Sequence, residues 1–136
     1  MPMKSQAASE FLIIVSVALT ILIPLILLVN QSLMGYRDDT KISLAKEAVK
    51  KLGQNADWVF SQGPPAKVTI EVYIPDDVAS ASLNNKMILY KIKTTAGITD
   101  IYHYTVSNLM GTLPEKSGYY FVSLTCYSTY VNITVV

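Results

Sequence analysis

Apolar and polar positions divide the chain into three stretches of different period. From Phe11 to Val29 the residues FLIIVSVALTILIPLILLV carry no charge, and only Ser16 and Thr20 are polar. At about 1.5 Å per residue, a helix over this stretch matches the roughly 30 Å hydrocarbon thickness of a bilayer. The two hydroxyls can bond back to carbonyls of their own helix. Pro24 removes one intrahelical hydrogen bond, so a bend is expected there without an end to the helix.

After Asn30 the apolar residues recur at helical spacing among mixed charges. Ile42, Ala45, Val49, Leu52, Ala56 and Val59 form one stripe, widened by Leu44, Ala48 and Phe60, while Lys46, Glu47, Lys50 and Lys51 fall off it. No proline lies between Leu25 and Ser61, so the two stretches are expected to form one continuous helix. Gly35 is its weakest point, a hinge or a place of close helix approach, because glycine costs about 1 kcal/mol relative to alanine in a helix. The run Ser61-Gln62-Gly63-Pro64-Pro65 is expected to stop it.

Beyond Pro65 the period becomes two. Val68, Ile70, Val72 and Ile74 alternate with Thr69, Glu71 and Tyr73, as a strand with one buried face requires. Further strands are expected over Lys86 to Thr94, Ile98 to Val106, Tyr119 to Tyr127 and Tyr130 to Val136. Pro75-Asp76-Asp77, Asn84-Asn85 and Ala96-Gly97 supply turns. Eight of the nine tyrosines fall in this part. A sheet domain of this size without a disulfide has a thin core, so the helical stripe is expected to pack on it. The expected fold class is α+β, a long N-terminal hydrophobic and amphipathic α-helix followed by a small antiparallel β-rich head. The expected divisions are a leader over residues 1–5, a helix over 6–60 and the head over 61–136.

Composition narrows the partners. At 51% hydrophobic and only 15% charged, the chain is lean in charge for a soluble globule. Its eleven basic and ten acidic residues are scattered, with no basic stripe to neutralise a phosphate backbone, so no nucleic-acid contact is expected. Cys126 is the single cysteine and reads as a small buried apolar residue. His103 is the single histidine, in an alternating stretch with no nucleophile motif or second metal ligand beside it, and reads as a strand-face residue. Asp38-Asp39 and Asp76-Asp77 are adjacent carboxylates without further ligands, which marks a solvated helix face and a turn. With no acid, base and nucleophile in one constellation and no phosphate loop, no catalytic activity, metal or cofactor is expected. Asn30-Gln31-Ser32 and Asn132-Ile133-Thr134 fit the N-glycosylation pattern, so Asn30 and Asn132 are candidate acceptors.

The start of the chain is ordered unlike an ordinary secretory signal. In MPMKSQAASE the basic residue and the small residues precede the apolar run, whereas a secretory cleavage site follows it. Lys4, Ser5, Gln6 and Glu10 resemble the class III signal peptides of archaeal type IV pilin-like proteins. In that family a short basic leader ends in Lys-small-Gln, and a glutamate follows. The family's frequent serine two residues after the glutamine is Ala8 here, with Ser9 beside it. The resemblance implies that a prepilin-peptidase-like membrane enzyme cuts between Ser5 and Gln6. Gln6 then becomes the N-terminus, and Glu10 pairs with the Gln6 amine of a neighbouring copy. It further implies a homopolymeric helical filament whose core holds Phe11, Ile14, Leu19 and Pro24, with an assembly ATPase and a platform protein as partners. The precursor would sit in the cell membrane and the mature subunit in an extracellular pilus that serves adhesion.

Two observations bear on that implication. An isolated carboxylate beside a nonpolar segment costs several kcal/mol and must be paired, neutralised or held at headgroup level, which gives Glu10 a physical reason to seek an amine. Arg37, Lys41 and Lys46 follow the apolar run, whereas Lys4 precedes it, so a count of basic residues alone would put the head inside the cell. The resemblance instead places Lys4 at the cytoplasm. The alternative reading is a single-pass membrane-anchored binding or sensor module with an extracellular β domain.

Overall fold

The computed structural model describes residues 2–136, with side chains from Met3 onward. Met1, the first residue of the expected leader, lies outside the described residues. One helix and seven strands make up the chain: α1 (Pro2–Gln62), β1 (Lys67–Ile74), β2 (Val78–Asn84), β3 (Met87–Thr94), β4 (Gly97–Tyr104), β5 (Asn108–Gly111), β6 (Gly118–Cys126) and β7 (Tyr130–Val135). This is the expected α+β architecture of a long helix followed by a largely antiparallel β domain. The chain packs as two compact units, one ending at Arg37 and the other Asp38–Val136. Helix residues 38–62 therefore belong with the strands.

The helix begins earlier than expected, at Pro2 rather than near Gln6. Proline is tolerated in the first turn, and Met3, Lys4, Gln6, Ala7 and Ala8 are all good helix formers, so nothing in this stretch breaks the helix. It runs through Pro24 and Gly35 without interruption. Gly63 ends it with φ of 78°. The Gly63 N–H donates back to the Phe60 carbonyl, the bonding expected just past a helix C-terminus.

Within Asp38–Val136 the strands form two sheets, a four-stranded one in the order β1-β6-β7-β5 and a three-stranded one in the order β2-β3-β4. Every pairing is antiparallel except β5 with β7. Alternation in β1 is kept in register with β6, so Val72 lies opposite Tyr120 on the core side and Tyr73 opposite Tyr119 on the outer side. Asp77 and Asn85 take positive φ at the turns around β2, a conformation that Asp and Asn tolerate.

The core is built on the helical stripe. Ala45, Val49, Leu52, Ala56 and Val59 are buried together with Val72, Ile74, Ile88, Ile92, Val122, Leu124, Val131 and Ile133 from both sheets. Cys126 is buried there too, as a small apolar residue. Tyr90 crosses the core with its hydroxyl donating to the Pro114 carbonyl at 2.9 Å. Burial raises the Tyr90 phenol far above its usual range, with smaller contributions from Glu115 and Tyr120.

Polar contacts fasten this part of the helix to the strands and their connections. Asp38 accepts from the Thr95 N–H at 3.0 Å and the Thr95 hydroxyl at 2.6 Å. Lys41 pairs with Asp77, and the Lys51 ammonium donates to the Glu71 carbonyl. Asp57 accepts from the Val106 N–H at 2.8 Å.

Candidate assembly surface

The first unit holds the membrane-length stretch. Its apolar side chains are uncovered, with Phe11 65%, Ile14 67% and Leu19 49% exposed. At about 100° per residue, Phe11, Ile14, Leu19 and Pro24 fall on different sides of the helix, so the apolar surface is a cylinder rather than a stripe. A helix apolar on all sides requires a nonpolar surrounding on all sides, from lipid or from other helices. By length and composition this helix is able to cross a membrane.

The two hydroxyls within the cylinder are satisfied locally. The Ser16 hydroxyl donates to the Leu12 carbonyl and the Thr20 hydroxyl to the Ser16 carbonyl, each at 2.7 Å. Neither hydroxyl therefore presents an unmet donor to a nonpolar surrounding. Pro24 lies inside the helix and supplies no N–H to the carbonyl one turn earlier.

At the N-terminal edge of the cylinder, the structure brings Gln6 and Glu10 together. The Gln6 amide nitrogen lies 3.5 Å from a Glu10 carboxylate oxygen, a long contact one turn apart. The Ser9 hydroxyl donates to the Gln6 carbonyl at 2.8 Å. Ser5 and Gln6 are both helical and exposed. Glu10 is exposed as well, and the next charged residue along the helix is Arg37.

No known family model, curated protein or solved structure matches the chain. Its functional reading therefore rests on the residues themselves.

The two sequon asparagines differ in setting. Asn30 is exposed on the helix, directly after the apolar run that ends at Val29. Asn132 lies in β7 between the buried Val131 and Ile133, so it faces away from the core, and it is half-buried opposite Thr125 of β6 and Met110 of β5. The Thr134 hydroxyl shares that outer face.

Other candidates have structural roles. His103 lies on the inner side of β4, half-buried against the helix at Gly53. Asp38 and Asp77 hold the helix to the head, and among the described residues no group of three or more His, Cys, Asp or Glu is placed to hold a metal. Hydrogen bonds from Thr95 hold the Asp38 carboxyl below its usual range, and the bond to Asp77 raises Lys41 above its own. Both groups lie beyond the charge-free stretch.

Sequence reasoning did not single out Asp57, Thr95 or Gly53. For the first two no local signal exists, because each partner is distant along the chain. For Gly53 there was one: a glycine beside Leu52 and Ala56, at the margin of the buried stripe, is where a neighbouring element can approach closely.

Proposed function

We propose that this chain is the precursor of a structural subunit of an archaeal type IV-like pilus, cut between Ser5 and Gln6 and assembled through its helix. The observation that carries this reading is the uncovered apolar cylinder from Phe11 to Val29, set directly after Gln6 and Glu10. In the membrane the cylinder is covered by lipid, and in the filament by copies of itself. The second unit, Asp38–Val136, in which helix residues 38–62 carry the β-rich head, clothes the outside and meets the surface to which the filament adheres.

The energetics assign the two parts different tasks. Against water, burying each Leu or Ile is worth about 1.5–3 kcal/mol, so a free subunit with this helix exposed is strongly disfavoured. Against lipid that term nearly cancels, because acyl chains are as apolar as the side chains themselves. Transfer from bilayer to filament therefore depends on close packing and on charge pairing. A Glu10 carboxylate paired with the Gln6 amine of a neighbour supplies the pairing and fixes axial register, since any other register leaves a carboxylate unpaired in a nonpolar core. An assembly ATPase and a platform protein supply the work of extraction.

The test is cryo-electron microscopy of filaments sheared from the native cells, with the N-terminal residue identified by mass spectrometry. Filaments made of chains that begin at Gln6 are the expected result. Full-length chains confined to the membrane fraction, and monomeric in detergent, would overturn it in favour of a single-pass anchored binding module.

A further inference from the structure

Two grooves of the second unit run one along each flank of the buried helical stripe, and their net charges are opposite. At about 100° per residue, Leu44, Glu47 and Lys51 lie to one side of the stripe and Ile42, Lys46 and Lys50 to the other. The first groove, about 460 Å³, runs between the helix and strands β1 and β6. Its walls include Glu47, Glu71 and the outer ring pair Tyr73–Tyr119, whose centroids are 4.8 Å apart. Lys51 is the cation there, and its ammonium donates to the main-chain carbonyl of Glu71 rather than to either carboxylate. The second groove, about 640 Å³, runs between the helix and β4, with Lys46, Lys50, Asp100 and Tyr102 around an apolar floor.

Among the described residues none of these charges has an ion-pair partner. Among the described residues the ion pairs are those of Lys41 with Asp38 and Asp77, so Glu47, Glu71, Lys46 and Lys50 all remain for an outside partner. The tyrosines beside them are uncovered, Tyr119 at 73% and Tyr102 at 58% exposure. Tyrosine offers a broad apolar face with a polar tip, the composition enriched where proteins meet.

We propose that the two flanks are the two halves of one contact between copies of this chain: the carboxylate- and tyrosine-walled groove of one head receives the lysine flank of the next. This rests on the filament reading for its setting and adds where the heads meet. The occupant is a second copy because the net charges of the two flanks are opposite, two carboxylates against Lys51 on one and two lysines against Asp100 on the other. Two different patches on each subunit make the contact heterologous, so it repeats from copy to copy and builds rings or helical filaments rather than closed pairs. The charges set orientation and register of neighbouring heads, while tyrosine faces and helix flanks supply the buried area.

The test uses the full-length chain in cells that assemble it. Lys46→Glu with Lys50→Glu reverses one flank, and Glu47→Lys with Glu71→Lys reverses the other. Each pair should lower assembled material at least tenfold. All four substitutions in one chain restore complementarity, and assembly should return to within about threefold of wild type. Wild-type assembly from both pairs would overturn the proposal, as would failure of the fourfold variant to recover while its head resists proteolysis like wild type.

A second measurement does not depend on filaments. Asp100→Cys and Tyr119→Cys in one chain place a cysteine on each flank, and oxidation of membranes or filaments should give a ladder of covalent dimers, trimers and longer species. Neither single variant should give a ladder, and prominent dimers from a single variant would overturn the heterologous contact. A ladder in membranes that yield no filaments would keep the contact and overturn the pilus reading. Filaments without a ladder and insensitive to charge reversal would overturn the contact and leave the pilus reading standing.

Discussion

A methyl group added at Gly53 would lie 2.1 Å from Cδ2 of His103. Helix and β4 are thus in contact through a glycine on one side and an imidazole on the other, with no room for a side chain between them. Gly53→Ala adds helix propensity worth about 1 kcal/mol, but overpacking at such a contact costs about 1–3 kcal/mol. A net loss of up to about 2 kcal/mol is expected, read as a lowered unfolding temperature of the detergent-solubilised chain. His103→Ala in the same background should return most of the loss. Stabilisation by Gly53→Ala alone would show that the ring yields freely.

Gly111 is the more severe case. Its φ is 116°, and an added Cβ would stand 1.9 Å from the Ile133 carbonyl oxygen, a main-chain atom that cannot swing aside. Backbone strain and overpacking together are expected to make Gly111→Ala cost about 3–5 kcal/mol. For a unit of this size that is a fall in unfolding temperature of more than about 10 °C. Protection of the β5 and β7 amides against hydrogen exchange should fall with it.

Tyr90 makes stability fall in strong base. Its phenol, ordinarily near 10.0, is raised in the folded chain, chiefly by burial. Between those two values the unfolded chain has released a proton that the folded chain retains, so rising pH favours unfolding. Stability should be unaffected by this group below about pH 10 and should decline above it, by up to about 1.4 kcal/mol per pH unit. Urea midpoints at pH 9 and pH 11 measure the decline. Tyr90→Phe should flatten it while lowering stability at neutral pH by about 1–2 kcal/mol, because the Pro114 carbonyl loses its donor.

Glu10→Ala separates insertion from assembly. Removing one carboxylate from the edge of the apolar stretch makes membrane insertion easier, so the variant should accumulate in the membrane fraction at wild-type level or above. Filament yield should drop by at least tenfold, and Glu10→Gln should drop it too if charge rather than size is required. Wild-type filaments from both variants, counted by electron microscopy, would remove the pairing with the Gln6 amine.

Much of the fold was legible in the sequence wherever the pattern was local. The stripe from Ala45 to Val59 is the buried one, and β1 occupies the residues that its alternation marked. Strands β3, β4, β6 and β7 begin within about a residue of expectation. Two strands were not legible. Val78–Asn84 is VASASLN, whose small polar and apolar residues give almost no contrast between its faces. Asn108–Gly111 is four residues long and exists as a strand through parallel pairing with β7, a partner that no local pattern reveals. At the candidate surface, the exposed cylinder and the place of Glu10 at its edge could be read directly, because a run without charge needs no tertiary context. The opposed grooves could not, because their walls come from strands that only the sheet order brings beside the helix.

The sheet order also sets a sequence of events during synthesis. The three-stranded sheet consists of consecutive hairpins and has all its partners once Tyr104 has been added. The four-stranded sheet has none: β1 pairs only with β6 and β5 only with β7, so both wait for residues 118–135. By then the apolar helix has long been available to the bilayer. On the membrane-precursor reading, insertion precedes completion of the head, and the helical stripe from Ala45 to Val59 stays partly uncovered in the interval. A chaperone or the membrane surface itself is best placed to shield it, and nascent chains stalled before Gly118 should be far more sensitive to protease than finished ones.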